Sequence, residues 1–139
     1  MGRIVVAVGA VIEDEGKILL VEHVPWEGDF WGGKWICPGG GLELGESITE
    51  GILREVKEET DLVVELISPL IPFERIVKSN GETILHVIYI DYMAKKVSGE
   101  LKPDSDVGQA IWVKQEEIAS VWSKLHDDTK RLLQIAHLV

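Results

Sequence analysis

Between Gly40 and Leu62 the chain carries three carboxylates, Glu55, Glu58 and Glu59, at spacings of three and four residues. On a helix such neighbours share a face, so these acids crowd and repel one another. Holding like charges together costs stability, and a bound divalent cation is the usual compensation. A solvated acidic helix face is the plainer reading, but the helical phase argues against it. Ile48, Ile52, Glu55 and Glu59 fall on one stripe, Val56 flanks it, and Glu50, Arg54 and Lys57 lie toward the other side. Two of the acids are thereby aimed along the apolar face. A carboxylate there needs a metal, a basic partner or a cleft.

The elements that must hold these acids are readable from local signals. Ser47 with Glu50 three residues on makes a capping box, which predicts a helix over Ile48–Thr60. Pro38 and the glycines Gly39, Gly40 and Gly41 precede it, a run suited to close approach of backbone to a ligand. Upstream, Arg3–Ile12 and Lys17–Val24 read as a hairpin turning at Asp14-Glu15-Gly16, followed by an aromatic, glycine-rich loop over 25–34 and a short strand at Trp35–Cys37. Downstream, Leu62–Val77 reads as an extended segment interrupted at Pro69 and Pro72. Asn80-Gly81 turns it into Thr83–Tyr92, apolar on both faces and therefore expected at the centre of a sheet. A short strand at Ala110–Val113 and an amphipathic helix at Thr129–Leu138 complete an α/β fold with a mixed β-sheet.

Composition narrows the function. The 139 residues, 45% of them hydrophobic, suit one globular domain spanning 1–139. There is neither a membrane-length apolar run nor a signal-peptide pattern, so no membrane partner and a cytoplasmic location are expected. Cys37 is the only cysteine, which rules out an intrachain disulfide and a cysteine-built zinc site; it reads as a buried strand residue. A net charge of −10 argues against nucleic acid as a partner. A phosphate substrate carried on a metal ion escapes that repulsion.

The fixed pattern Gly40, five residues, Glu46, seven residues, Arg54-Glu55-Val56-Lys57-Glu58-Glu59, then Leu62, resembles the signature box of the Nudix hydrolase superfamily. Asp61 departs from it, standing where the family usually has Gly. Gly there suits a left-handed helix end, a conformation Asp adopts more readily than most residues, so the departure removes no proposed catalytic group. The resemblance implies an α/β/α sandwich and hydrolysis of nucleoside diphosphates linked to another moiety, with Mg²⁺ or Mn²⁺. It implies Glu58, Glu59 and the Gly39 carbonyl as metal ligands, and Glu55 as a further ligand or the base that activates water. Arg54 and Glu46 are implied as an orienting ion pair, with Gly40 structural.

Small MutT-like members carry another acid before a downstream Trp strand, which points to Asp106 ahead of Trp112; Asp104, beside Pro103, reads as loop punctuation. His23 sits where many relatives have an Arg. Trp26, Phe30 and Trp31 suit stacking on a nucleobase, with cover of a sheet edge or a homodimer contact as the alternative. Arg75 and Lys78 read as solvated strand residues or phosphate contacts. The expected substrate is a nucleoside triphosphate or a nucleoside diphosphate derivative. ADP-ribose or another nucleotide sugar is the runner-up, set back because Val77 stands where such relatives often have Pro. A domain that senses nucleotides without turnover is the alternative of another class, and the intact box acids weigh against it.

Overall fold

A computed structural model describes residues 2–24, 30–104 and 107–139. Strand β1 (Arg3–Asp14) and strand β2 (Lys17–His23) form the expected hairpin, turning through left-handed Glu15 and Gly16. They pair only at the turn end, Glu13 with Ile18 and Asp14 with Lys17, and then diverge. Into the opening comes β4 (Gly39–Gly41), which pairs with Ala7, Val8 and Gly9 of β1; β3 (Trp35–Ile36) stays on β2. Cys37 is buried but lies just past β3, and burial pushes its thiol well above the ordinary range, with Asp91 adding to the effect.

Helix α1 (Ile48–Thr60) has the predicted bounds and the predicted start. The Ser47 hydroxyl accepts from the Glu50 N–H at 3.2 Å while the Glu50 carboxylate accepts from the Ser47 N–H at 3.1 Å. Asp61 ends it in the left-handed region (φ 63°), its N–H reaching the Lys57 carbonyl at 3.0 Å. The buried face is centred on Ile52, Val56, Glu59 and Thr60, about one residue round from the expected stripe, which leaves Ile48 exposed.

Beyond the helix come β5 (Val63–Pro69) and β6 (Phe73–Ser79), separated at the two prolines. Strand β7 runs from Glu82 to Ser98, well past the expected Tyr92. The extension exists because β7 has different neighbours along one edge: β6 covers Glu82–Tyr89 and β5 covers Tyr92–Ser98. Its other edge pairs with β1 in parallel, from Arg3–Leu85 to Glu13–Lys95, so β7 is central as its two apolar faces required. Strand β8 (Val107–Lys114) pairs with β2 and starts three residues earlier than expected. Two short 3₁₀ turns around α2 (Ile118–Val121) lead to α3 (Asp127–Ile135), two residues ahead of its predicted start because the His126 side chain caps it by accepting from the Asp128 N–H at 3.1 Å.

Among the described residues the strands make one eight-stranded mixed sheet with helices on both faces. On one side α1 packs Ile52 and Val56 against Val8, Ala10 and Ile12; on the other, α2 and α3 bring Ile118, Leu132 and Leu133 against Val11 and Phe73. Trp112 packs against the α1-side core. No helix among the described residues is long and apolar enough to cross a membrane.

Candidate active site

The opening between β1 and β2 creates the site. Pairing of Gly39 with Gly9 holds the glycine run beside α1, and Gly39 N–H donates to Glu59 Oε1 at 2.9 Å. Glu59 is only 3% exposed, so its carboxylate is turned inward onto that backbone. Gly40 makes room for the next acid: a Cβ there would lie 2.4–2.6 Å from the carboxyl atoms of Glu55. Any side chain at this position would displace Glu55, which is the local reason for glycine.

Arg54 does not lie on the outer side of the helix, as its phase suggested. Its Nε and Nη2 grip the two oxygens of Glu46 at 2.6 and 2.9 Å, Nη2 also reaches the Gly41 carbonyl at 3.1 Å, and Nη1 reaches Glu55 at 2.8 Å and Glu58 at 3.3 Å. A planar guanidinium can serve this many acceptors in fixed directions, which an ammonium cannot. The hydrogen bond from Arg54 holds the Glu46 carboxyl below its usual range, and the acids hold Arg54 firmly charged. Glu58 is about half exposed and is not among the residues that line the cavity onto which Glu55 and Glu59 open.

Among the described residues no three His, Cys, Asp or Glu side chains converge closely enough to enclose an ion. The cause is visible in the contacts: Arg54 draws on Glu55 and Glu58, while Glu59 is turned to Gly39. The donor chemistry nevertheless fits a hard divalent cation. Carboxylate oxygens on two successive turns stand beside glycine backbone that leaves them space.

Asp106 lies outside the described residues. Its neighbours dock on the end of α1, where Lys102 N–H meets the Thr60 carbonyl at 2.9 Å and Asp104 N–H meets the Glu59 carbonyl at 3.1 Å. These bonds satisfy carbonyls that a helix end leaves without intrahelical partners. Asp104 is therefore more than loop punctuation; its backbone ties that loop to the acid-bearing turn.

Glu55, Glu59 and the glycine run open onto a cavity of about 330 Å³ between the sheet and α3. His23 and Trp31 line it. Phe30 instead braces the wall from behind, edge-on to Trp31 (5.3 Å between ring centres) and to His126 (4.7 Å). Trp26 lies outside the described residues.

The cavity also holds residues that the sequence reading left without a role there. Trp31 Nε1 donates to the Tyr89 hydroxyl at 3.0 Å, and that hydroxyl donates to Asp128 Oδ2. Arg75 completes the chain, its Nε and Nη2 meeting Asp128 Oδ1 at 2.9 and 2.8 Å. Arg75 is thus bound to an acid while its side chain stays 39% exposed. Burial and the contact with Asp128 push the Tyr89 phenol far above its ordinary range. Asp91 stands on β7 two residues beyond Tyr89; it is 7% exposed, and burial pushes its carboxyl up to about 7. An acid within the apolar run Ile88-Tyr89-Ile90-Asp91-Tyr92-Met93 was the one signal in the sequence for that position.

Comparison with known proteins agrees with this architecture. An ADP-ribose pyrophosphatase of Methanocaldococcus jannaschii is 36% identical over 107 residues, covering 76% of this chain and 59% of its own length, so the chain spans well under two thirds of that relative. A nucleoside triphosphatase, NudI, of Escherichia coli is 28% identical over 136 residues, covering 93% of this chain and 94% of its own. A solved NUDIX hydrolase from Nitrosomonas europaea superposes with a TM-score of 0.79 at 29% identity, covering 97% of this chain and 89% of that one. The model of the NUDIX domain matches residues 3–135. With the box acids on α1, the glycine turn under them and this match over nearly its whole length, the chain belongs to the NUDIX family.

Proposed function

We propose that the protein is a divalent-metal-dependent pyrophosphohydrolase that cleaves a phosphoanhydride bond in a nucleoside triphosphate or a nucleoside diphosphate derivative. The observation that carries this reading is the shared cavity, lined both by Glu55, Glu59 and Gly39–Gly41 and by the aromatic side chains of Trp31 and Tyr89. Such a cleft suits a molecule with a phosphate chain and a flat ring.

In this reading Glu58, Glu59 and the Gly39 carbonyl would hold Mg²⁺ or Mn²⁺, with Asp106 assigned as a further ligand. A bound ion would neutralise charge developing on the phosphates and lower the pKa of an attacking water. Glu55, held against Gly40, is either a further ligand or the base that takes the proton from that water. Arg54 orients Glu55 and Glu58 while Glu46 anchors it. Trp31 faces the base, with Trp26 assigned to the same role; His23 lines the cavity as a substrate contact, and Phe30 supports Trp31. The cytoplasm, where nucleotides are abundant, is the proposed location.

ADP-ribose or a nucleotide sugar is the second reading, favoured by the name of the archaeal relative at 36% identity. A hydrolysis panel of nucleoside triphosphates, oxidised nucleotides, ADP-ribose and dinucleoside polyphosphates, run with Mg²⁺, with Mn²⁺ and with chelator, decides between them. Metal-dependent release of a nucleoside monophosphate from any member supports the reading. No metal-dependent cleavage across the panel would overturn it.

A further inference from the structure

Beside the cavity, side chains from three elements and a loop form one line of hydrogen bonds whose direction is fixed from its far end. Both oxygens of Asp128, on α3, are occupied: Nε and Nη2 of Arg75, on β6, meet Oδ1 at 2.9 and 2.8 Å, and the Tyr89 hydroxyl, on β7, meets Oδ2. A carboxylate paired with a guanidinium only accepts, so the single Tyr89 proton is committed to Asp128. What remains on the phenol oxygen is lone pairs, and an indole N–H only donates. Trp31 Nε1, 3.0 Å away, is the donor that oxygen takes. Among the described residues the buried side-chain atom without a partner is Asp91 Oδ2, two residues along β7. No buried atom of the line itself is left unpaired, the condition in which a polar network is rigid.

The two ends of the Trp31–Tyr89 bond differ in how they are held. Tyr89 is on the central strand, between Ala7 of β1 and Phe73 of β6, with its ring stacked on Phe73 at 4.7 Å. Its hydroxyl is a fixed point on the cavity wall. Trp31 belongs to the segment between β2 and β3, where no strand register aims a side chain. Contacts of the ring itself must set the direction of its indole, among them the bond at Nε1 and the edge-on packing with Phe30 at 5.3 Å. We propose that Tyr89 is a positioning residue: its hydroxyl holds the Trp31 indole in the orientation that receives the flat ring of the nucleotide, with Asp128 and Arg75 acting through it. This assignment rests on the functional reading above, in which Trp31 faces the base. A ring held in place before the substrate arrives needs no ordering on binding, so the gain appears in affinity. The hydroxyl bonds to Trp31 and Asp128 and not to the box acids, so the chemical step is left alone.

The test is a double-mutant cycle on the panel nucleotide that is cleaved fastest. Tyr89→Phe keeps the ring on Phe73 and deletes the hydroxyl. It should raise KM by about three- to tenfold, as the loss of one neutral hydrogen bond does, with kcat and Mg²⁺ dependence unchanged. Trp31→Phe keeps an aromatic face and deletes the N–H, so Tyr89→Phe added to it should raise KM no further. Should Tyr89→Phe not fold, 3-benzothienylalanine in place of Trp31, with sulfur where the indole has N–H, deletes the same bond from the other side and should raise KM alike. Without substrate, the Trp31 share of the fluorescence, obtained by difference from Trp31→Phe, should be quenched more readily by acrylamide in Tyr89→Phe.

A merely structural Tyr89 lowers the melting temperature with KM unchanged, or raises KM equally whether residue 31 is Trp or Phe; either result overturns the proposal. So does a loss confined to kcat, or acrylamide quenching that Tyr89→Phe does not alter. If no panel member is turned over, the hydrolase reading fails, and calorimetric binding of ATP and ADP-ribose in chelator takes the place of KM in the same cycle. Weaker binding that depends on Trp31 then supports Tyr89; equal binding by all four proteins, or none, overturns it. Turnover with an unchanged KM in every variant refutes Tyr89 and leaves the hydrolase standing.

Discussion

At the scale of the residue, each buried acid of the site has its own environment, and the environments predict different behaviour. Glu59 is turned onto the Gly39 amide, and Gln in its place keeps an oxygen for that bond while losing the charge. Glu59→Gln should therefore fold with an unchanged melting temperature or a higher one, while metal-dependent hydrolysis drops roughly 10²–10⁴-fold. Circular dichroism and a rate measured at saturating Mg²⁺ check both halves, and a folded variant with near-normal rates would remove Glu59 from the metal site. Asp91 behaves in the opposite way, because burial raises its carboxyl from the ordinary 3.8 to about 7. Between those values the unfolded chain has released a proton that the folded one retains, so stability falls as pH rises through that window. From pH 5 to pH 8 the wild type should lose roughly 2–3 kcal/mol more than Asp91→Asn. Urea denaturation of both proteins at the two pH values measures this; equal losses would show that Asp91 is not held neutral.

At the scale of the element, α1 is where chain and structure agree most closely. Its start was legible because a capping box is a property of four consecutive residues, and such a cap contributes about 1 kcal/mol. Its end was legible for the same reason: Asp61, the one departure from the family pattern, takes the left-handed conformation at φ 63° that the position demands. There it also meets Lys57 Nζ at 2.9 Å, a contact on the surface that glycine would lose. Asp61→Gly should leave kcat and Mg²⁺ affinity unchanged and shift the melting temperature little, relief of the backbone being offset by the lost surface ion pair. Parallel Mg²⁺ titrations and thermal melts test this, and a large loss of metal affinity would mean that Asp61 belongs to the metal site. The phase of the same helix was less legible. Arg54 lies among acids because Glu46 reaches back from the preceding turn, a partner that helical periodicity does not include.

At the scale of the whole molecule, the cavity wall is built from side chains far apart in the chain: Trp31, Tyr89 and Asp128 line it, and Arg75 grips Asp128. Arg75→Ala removes the charged partner from an Asp128 that is only 7% exposed. It should cost roughly 1–3 kcal/mol and loosen α3 against the sheet. Chemical denaturation measures the first, and hydrogen exchange in Asp127–Ile135 the second; no change in either would mean that the pair does not tie the layers. This network also marks the boundary of what could be read from the chain. The capped helix, the hairpins at Glu15-Gly16 and Asn80-Gly81, the central strand and the box acids were legible, because each depends on residues close in sequence. The length of β7 was not, since its last residues are held by β5 rather than by any signal of their own. Nor was the meeting of Asp128 with Arg75 and Tyr89, or the unpartnered oxygen of Asp91 beside Gly9. Local sequence sets backbone conformation and the phase of each element. Which side chains face one another across a cavity depends on the register of distant strands and the seating of α3, and those exist only once the sheet has closed.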